Sequence, residues 1–273
     1  MKRTFSEWVR WRIQRIPRKL GFARGRAIWL YRDLRNELRI FWELRLRRKP
    51  ISDVTRYERR IDSQNGEDGI IEAIFAKVGT TNKYFVEFGS GNLSECNTRY
   101  LARGRWKGLW MDATYIDQRG QVKQECITAE NVQALFGKYD VPRDFDLLSV
   151  DIDGNDYWVW KAITDHHPRV VVIEYNSTIP LTESKTIPYD PNWMWDGSTN
   201  YFGASLLALT HLGEQKGYTL VGCDSSGTNA FFVKQELVRS RFLVREVSSL
   251  YRPPSAFDGQ GHPRDPVRQM IEV

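Results

Sequence analysis

The chain has 273 residues, of which 41% are hydrophobic and 27% charged. This composition is typical of a soluble protein with room for one α/β domain and an appendage. No run of about 18 apolar residues is present, so no membrane-spanning helix is expected. The first residues lack the apolar core and cleavage site of a secretory signal. The cysteines, Cys96, Cys126 and Cys223, have no metal-binding spacing and are expected to be reduced thiols of a cytoplasmic protein.

The formal charge of +6 is unevenly distributed along the chain. Residues 1–50 carry 16 Lys and Arg against 4 Asp and Glu, whereas residues 51–273 carry 24 against 30. All of the basicity therefore lies in the first fifth of the chain. The pI of about 9.2 is then no indication that the folded domain binds nucleic acid, and no nucleic-acid partner is expected.

Residues 1–50 predict a segment of two basic amphipathic helices, with a break between Pro17 and Gly25. Apolar residues recur at helical spacing in both, with Arg between them. They are Phe5, Trp8, Val9, Ile13 and Ile16 in the first helix and Ala27, Leu30, Tyr31, Leu34, Leu38 and Phe41 in the second. Basic helices with Trp anchors bind anionic membrane surfaces, which would place the protein at the inner face of the membrane. The same stripes also suit packing on the domain or on a second copy of the chain, which would give a homo-oligomer. An organelle transit peptide would be richer in Ser.

From residue 83 onward, short apolar runs alternate with helical stretches. Strands are predicted at Tyr84–Phe88, Gly108–Met111, Leu147–Ile152 and Val170–Tyr175, and helices near Ser94–Arg103, Glu130–Lys138 and Asp156–Ile163. This alternation predicts an α/β fold with a mostly parallel sheet. The last two predicted strands, Tyr218–Cys223 and Ala230–Val233, are separated by only six residues, too few for a helical crossover, so they predict an antiparallel hairpin. A parallel sheet that closes with such a hairpin is the Rossmann-like methyltransferase topology, whereas dinucleotide dehydrogenases end their sheet in parallel.

A glycine turn follows the first predicted strand. Gly89 and Gly91 allow a tight turn and let a ligand approach the backbone, and Glu87 precedes them. Ser94 stands where the dinucleotide fingerprint has its third glycine, which disfavours NAD. Asp112 ends the second predicted strand, where an acidic residue can accept both ribose hydroxyls of a nucleoside or cap a helix.

Acidic residues also end the next two predicted strands. Asp151 and Asp153 follow one strand, and Glu174 and Asn176 follow its neighbour. Oxygen ligands that converge in this way suit Mg²⁺ or a similar hard cation. These acidic residues could instead cap helices or accept hydrogen bonds from an amino group of a bound cofactor. Asp151 or Glu174 could also take a proton from an acceptor hydroxyl.

The segment from Ser177 to Tyr201 is long for a connection and rich in aromatic residues. Loops of this length are usually functional lids or disordered. Trp193, Trp195 and Tyr201 favour a substrate lid, because aromatic faces stack on sugar rings. His166 and His167 are expected at the opposite end of the sheet, and His211 is an outside candidate for the site.

Several segments together resemble the FkbM-like methyltransferases, a bacterial group that includes sugar and polyketide O-methyltransferases. They are Ser63–Gly69, Val86–Gly91, Ser149–Tyr157, Val172–Asn176, Tyr201–Ser205, Gly217–Cys223 and Asn229–Phe232. The resemblance runs from about Ser63 to Gln235. The sequence departs from it at Asp151-Ile-Asp153, where many members have one Asp followed by Val-Glu-Gly.

The resemblance implies S-adenosylmethionine as the cofactor, held by Glu87, Gly89, Gly91 and Asp112. Gln64, Glu67 and Asp68 would lie near its methionine end. The implied reaction is O-methylation of a small-molecule or glycan-type acceptor by a domain at residues 51–240, followed by a C-terminal extension at 241–273. The alternatives are a Rossmann-like nucleotide-binding protein and an NAD-dependent oxidoreductase.

Overall fold

The computed structural model describes Leu44, residues 49–255 and residues 261–273. The chain divides into two units, residues 1–38 and 39–273, and all described residues belong to the second. The two basic helices predicted in the first 50 residues therefore lie outside the described residues, apart from Leu44 and residues 49–50. None of the helices in the described part of the chain is long and apolar enough to cross a membrane.

A seven-stranded sheet forms the centre of the domain, in the order β3-β2-β1-β4-β5-β8-β7. Its strands are β1 Tyr84–Phe88, β2 Lys107–Asp112, β3 Val122–Gln124, β4 Asp144–Val150, β5 His167–Glu174, β7 Tyr218–Cys223 and β8 Asn229–Lys234. Strands β1 to β5 are parallel, and β8 runs antiparallel to both β5 and β7. The predicted mostly parallel sheet that closes with an antiparallel hairpin is therefore confirmed.

Helices cover both faces of this sheet. They are α1 Glu67–Val78, α2 Arg99–Arg103, α3 Val132–Lys138, α4 Asp156–Ala162, α5 Leu206–Gln215, α6 Gln235–Val238 and α7 Val247–Leu250. Residues of α3, α4 and α5 pack with one set of strand side chains, including Phe88 and Val150. Residues of α1 and α2 pack with the alternate set, including Phe85 and Val172. Alternation along each strand thus sends its side chains into two separate cores.

The predicted helix from Ser94 is wrong at its start, because α2 begins only at Arg99. Residues 92–98 form turns instead, and three of them donate hydrogen bonds to the Glu87 carboxylate. Those side-chain contacts replace the first helical turn. Strand β3 was not predicted, and the predicted strands near residues 147 and 170 begin three residues earlier in the structure.

A second, two-stranded sheet joins the end of the chain to the loop after β5. Strand β6, Lys185–Thr186, pairs antiparallel with β9, Ile271–Glu272. The backbone N–H of Val273 donates to the carbonyl of Ser184 at 2.9 Å. Residues 261–273 therefore extend along the loop that follows β5.

Candidate functional site

A cavity of about 330 Å³ lies beside the carboxyl ends of β4 and β5. Its described lining includes Asp151, Asp153 and Glu174, the loop residues Trp195 and Phe202, and residues on both sides of the segment 256–260. Open α/β sheets bind ligands outside the carboxyl ends of their strands. The cavity is therefore at the place where the topology puts a ligand site.

The two glycines of the turn after β1 have different surroundings. Gly89 has φ +72°, and a Cβ there would lie 1.5 Å from the carbonyl oxygen of Asp151. Gly91 has φ +49°, and a Cβ there would have no atom within 4 Å. Gly89 thus permits contact between the β1 turn and the end of β4, while the backbone at Gly91 faces open space that a ligand can enter.

Asp112 connects the end of β2 to this turn. Its Oδ2 accepts a hydrogen bond from Gly91 N at 2.8 Å, and its Oδ1 accepts from the backbone N–H groups of Thr114 and Tyr115. Burial raises its pKa, but the donors of Tyr115, Thr114 and Gly91 outweigh burial, so the net pKa is below the ordinary value. Asp112 is therefore an anion beside the open face of Gly91 at neutral pH.

Glu87 is fully enclosed and holds the segment after the glycine turn. Its carboxylate accepts from Cys96 Sγ, from the backbone N–H groups of Asn97 and Thr98, and from Thr98 Oγ1. Burial raises its pKa, and those hydrogen bonds lower it in part. In this structure Glu87 faces the loop and does not line the cavity.

Three polar residues near the start of α1 were also predicted to bind cofactor. Gln64 is exposed and lines the cavity. Glu67 is buried and accepts from Asn65 N and from Asn229 Nδ2. Asp68 is buried and accepts from the N–H groups of residues 61–63 and from the Ser63 hydroxyl. Only Gln64 of the three reaches the cavity.

Asp151, Asp153 and Glu174 converge as their strand-end positions predict. Each contributes a carboxylate oxygen, and these oxygens all lie within 4.8 Å of one another. Glu174 Oε2 is buried and has no hydrogen-bond partner among the described residues. We refer to these three residues as the carboxylate triad.

The electrostatics of the carboxylate triad favour binding of a cation or a proton. Burial and then the charges of Asp153 and Asp156 raise the pKa of Asp151 well above its ordinary value. Burial and then Asp151 and Asp156 do the same for the pKa of Glu174. Burial and Asp112 raise the pKa of Asp153. Like charges at this separation oppose simultaneous ionisation unless a positive charge lies between them.

Asn176, predicted beside Glu174, and the nearby Asp156 both hold the loops around the carboxylate triad. The Asn176 amide donates to the carbonyls of Asn200 and Phe202, and its Oδ1 accepts from Thr178. Asp156 accepts from the backbone N–H groups of residues 152 and 154. Both side chains hold backbone that positions the carboxylate triad.

The aromatic residues of the predicted lid have three environments. Trp195 lines the cavity. Trp193 lies against Gly154, and its Nε1 donates to the carbonyl of Asp153 at 3.3 Å. Tyr201 is buried, and the Arg268 guanidinium lies 4.7 Å from its ring centroid. The stacking of a ligand on these rings stays a prediction.

Sequence reasoning missed the contribution of the chain end. Pro254, Ser255, Gly261 and His262 line the cavity, as do residues 226–228 of the turn between β7 and β8. No periodic pattern marks residues 241–273, and their contacts are with residues far away in sequence. Of the other histidines, His167 begins β5, at the sheet end opposite to Glu174, as predicted. His211 lies in α5 and does not line the cavity.

No family model matches the chain, and no curated protein is matched by it. Among solved structures, it is similar to an S-adenosylmethionine-dependent methyltransferase from Clostridium acetobutylicum ATCC 824. The TM-score is 0.34 and the sequence identity 10%, over 73% of this chain and 98% of that chain. The FkbM-like resemblance stays a prediction. In the sheet, β8 lies between β5 and β7 and runs antiparallel to the five parallel strands. This strand order is that of a Rossmann-like methyltransferase fold.

Proposed function

We propose that this protein is an S-adenosylmethionine-dependent methyltransferase that acts on a hydroxyl of a sugar or glycan-type acceptor. One observation carries the proposal: in a sheet of this topology, the open backbone of Gly91 is hydrogen-bonded to the Asp112 carboxylate. The acceptor class comes from the FkbM-like resemblance and from the aromatic and polar lining of the cavity.

The residues at the ends of β1 and β2 fit a nucleoside. Asp112 Oδ2 accepts only the Gly91 N–H among the described contacts, which leaves acceptor capacity for a ribose hydroxyl. Gln64 at the cavity wall and Gly91 at the turn would lie along the rest of the cofactor. S-adenosylmethionine supplies an electrophilic methyl group when bound.

The carboxylate triad fits the role of receiving the acceptor's proton. Transfer of a methyl group to a hydroxyl requires an in-line approach of the oxygen and a base for its proton. Asp151 and Glu174 line the cavity, and the Asp151 backbone approaches Gly89 of the glycine turn. Burial with mutual repulsion makes each carboxylate more basic than an exposed one. Either residue can take the proton.

The same three residues would hold a divalent cation such as Mg²⁺. Their oxygens lie close enough to bind one shared ion, and that ion would give Glu174 Oε2 the partner it lacks among the described residues. A bound cation lowers the pKa of a coordinated hydroxyl. Calorimetric titration with Mg²⁺ tests the site in the full chain, with Asp153→Asn expected to weaken binding and exposed Asp165→Asn expected to leave it unchanged. Activity that survives chelation unchanged would show that the cation is not required.

Calorimetry with S-adenosylmethionine and with NAD tests the cofactor. We expect binding of the first only, weakened about tenfold or more by Asp112→Asn because a charged acceptor is lost. Asp117→Asn is the matched control, since Asp117 also accepts backbone hydrogen bonds but lies in the turn before β3. Tight NAD binding without S-adenosylmethionine binding would instead favour an oxidoreductase.

Mass spectrometry of candidate glycans incubated with protein and cofactor tests the reaction. An added methyl group is expected, and Asp151→Asn and Glu174→Gln are expected to slow its transfer. Full activity of both variants would remove these residues from the chemistry. Cofactor binding with no methylated product from any acceptor would favour a binding protein.

The first 50 residues, outside the described structure except for Leu44 and residues 49–50, are assigned a membrane role on charge alone. Their net charge of +12 and their aromatic residues, which the sequence predicts on two amphipathic helices, support peripheral attachment of a cytoplasmic enzyme to an anionic membrane.

A further inference from the structure

The residue types that line the cavity restrict what it can bind. Three of its described lining residues are carboxylates and one is a histidine, and none of those described is a lysine or an arginine. Anionic groups such as phosphates are bound in proteins by Arg, Lys or clustered backbone N–H groups. The described wall therefore offers an anion no basic side chain, whereas a neutral molecule needs none.

The other polar groups of the cavity are hydroxyls and amides. They belong to Gln64, Asn65, Ser177, Ser226, Thr228 and Ser255, while the side chains of Tyr175, Asn176 and Thr178, which also line the cavity, bond to the loops around it. Such groups both donate and accept hydrogen bonds, as the hydroxyls of a sugar ring do. The groups that are not bonded to the loops give the cavity wall neutral hydrogen-bonding capacity.

Three rings form an aromatic cluster at one side of the same cavity. The ring centroids of Trp195 and Phe202 are 4.6 Å apart, and His262 meets Trp195 edge-on at 4.6 Å. His262 is also 6.1 Å from Phe202. All three residues line the cavity, so an occupant meets both apolar ring surface and polar groups, the usual composition of a small-molecule site.

His262 comes from the chain end and is fixed on both sides. Gly261 before it has φ +70°, and a Cβ there would lie 2.4 Å from Thr178 Cγ2. After it, the Pro263 carbonyl accepts from Asn200 N at 2.8 Å, and Asp265 N donates to Asn200 Oδ1 at 3.0 Å. The extension therefore places His262 in the cavity wall through contacts with the loop after β5.

On the basis of the proposed function, we propose that the acceptor is an uncharged, hydroxylated ring, and that the C-terminal extension supplies part of its binding site through His262. Trp195, Phe202 and His262 contact the ring, while the hydroxyl and amide groups bind its substituents. No basic side chain of the described wall would bind a phosphate on the acceptor. His262 is thus a specificity-determining residue.

Saturation-transfer NMR on the full chain with bound S-adenosylhomocysteine tests this proposal. The probes are neutral methyl hexopyranosides and the corresponding hexose 6-phosphates, each measured with and without Mg²⁺. We expect transfer to at least one neutral hexoside and at least fivefold less to its phosphate. Equal or stronger transfer to the phosphates, or none to every neutral hexoside, overturns the proposal.

His262→Ala and His262→Gln are expected to reduce transfer to the neutral hexoside at least threefold. His167→Ala is the matched control, because His167 is exposed at the opposite end of the sheet. Thermal unfolding and calorimetry with S-adenosylhomocysteine confirm that each variant is folded and binds cofactor. If both His262 variants show the same transfer as the wild-type chain, the extension does not contribute to the binding site. If the wild-type chain itself does not bind the cofactor, the proposed function is wrong.

Discussion

A substitution at Gly91 is expected to weaken the proposed cofactor binding while leaving the protein folded. Its φ of +49° is a left-handed conformation, and no atom lies within 4 Å of a Cβ built there. Gly91→Ala is therefore expected to lower the free energy of unfolding by only about 1–2 kcal/mol, from the left-handed backbone. Affinity for S-adenosylmethionine, measured by calorimetry, is expected to fall at least tenfold, because the new methyl group projects into the space proposed for the cofactor.

Substitutions at two other glycines serve as comparisons for Gly91→Ala. Gly120 has φ +68° and equally open surroundings, but it lies in the turn before β3, so Gly120→Ala should reproduce the loss of stability without the loss of affinity. Gly89→Ala should prevent stable folding, since its Cβ would collide with the Asp151 carbonyl. Normal cofactor affinity in Gly91→Ala would mean that no ligand approaches the backbone at this turn.

At the scale of elements, the association of the chain end with the loop after β5 depends on Arg268. Its guanidinium lies 5.2 Å from the ring centroid of Trp193 and 4.7 Å from that of Tyr201, and it pairs with Asp265 at 2.6 Å. Arg268→Ala is expected to lower the free energy of unfolding by about 1–2 kcal/mol, from the lost cation–π contacts and ion pair. Denaturant unfolding measures this change.

Arg264→Ala provides the control, since Arg264 is exposed in the same segment. It should change the stability by less than about 0.5 kcal/mol. Equal stability of the two variants would show that the contacts of Arg268 do not hold the segment in solution.

The sequence predicts elements well where their signal is local. The hairpin of β7 and β8 follows from two apolar runs joined by a short turn, and the carboxylate triad follows from acidic residues at the ends of neighbouring parallel strands. Strand β3 has only three residues, Val-Lys-Gln, too few to show an alternating pattern. The late start of α2 depends on Glu87, whose carboxylate organises residues 96–98.

Other parts of the site depend on contacts between distant positions. Glu67 is held by Asn229, 162 residues away, and His262 reaches the cavity through contacts of its neighbours with Thr178 and Asn200. No local pattern encodes such pairs. Residue type therefore indicated acidic and aromatic candidates, but only the fold separates those that line the cavity from those that support its loops.

For the whole molecule, the division of charge predicts membrane binding through residues 1–50. Each Lys or Arg near an anionic surface contributes about 1 kcal/mol, and Trp and Leu side chains add to this. Sedimentation with anionic vesicles at low salt should retain the full chain and lose a chain that begins at Ile51. Equal sedimentation of the two, or conversion of a dimer to a monomer with unchanged sedimentation, would instead favour packing of residues 1–50 on the domain or on a second copy of the chain.

Buried carboxyl groups predict how the stability of the ligand-free protein depends on pH. Burial, opposed in part by hydrogen bonds from residues 152 and 154, raises the pKa of Asp156 to about 6. Burial and the charge of Glu67 raise the pKa of Asp224 to about 7. In the unfolded chain both groups ionise near 3.8. Between these values the folded state binds more protons than the unfolded state, so the free energy of unfolding falls as the pH rises.

The contribution of these groups is complete below pH 3.8 and is lost as the pH rises through about 6 for Asp156 and about 7 for Asp224. At about 1.4 kcal/mol per pKa unit, Asp224 alone accounts for a fall of about 4 kcal/mol. Asp112, whose pKa is lowered, acts in the opposite direction but titrates below this window, whereas burial lowers the pKa of His166, which opposes part of the fall within it. Denaturant unfolding from pH 4 to 8 should therefore show decreasing stability, with a shallower slope in Asp224→Asn. Stability that rises across this range, or an unchanged slope in the variant, would mean that these carboxyls ionise near their ordinary pKa values.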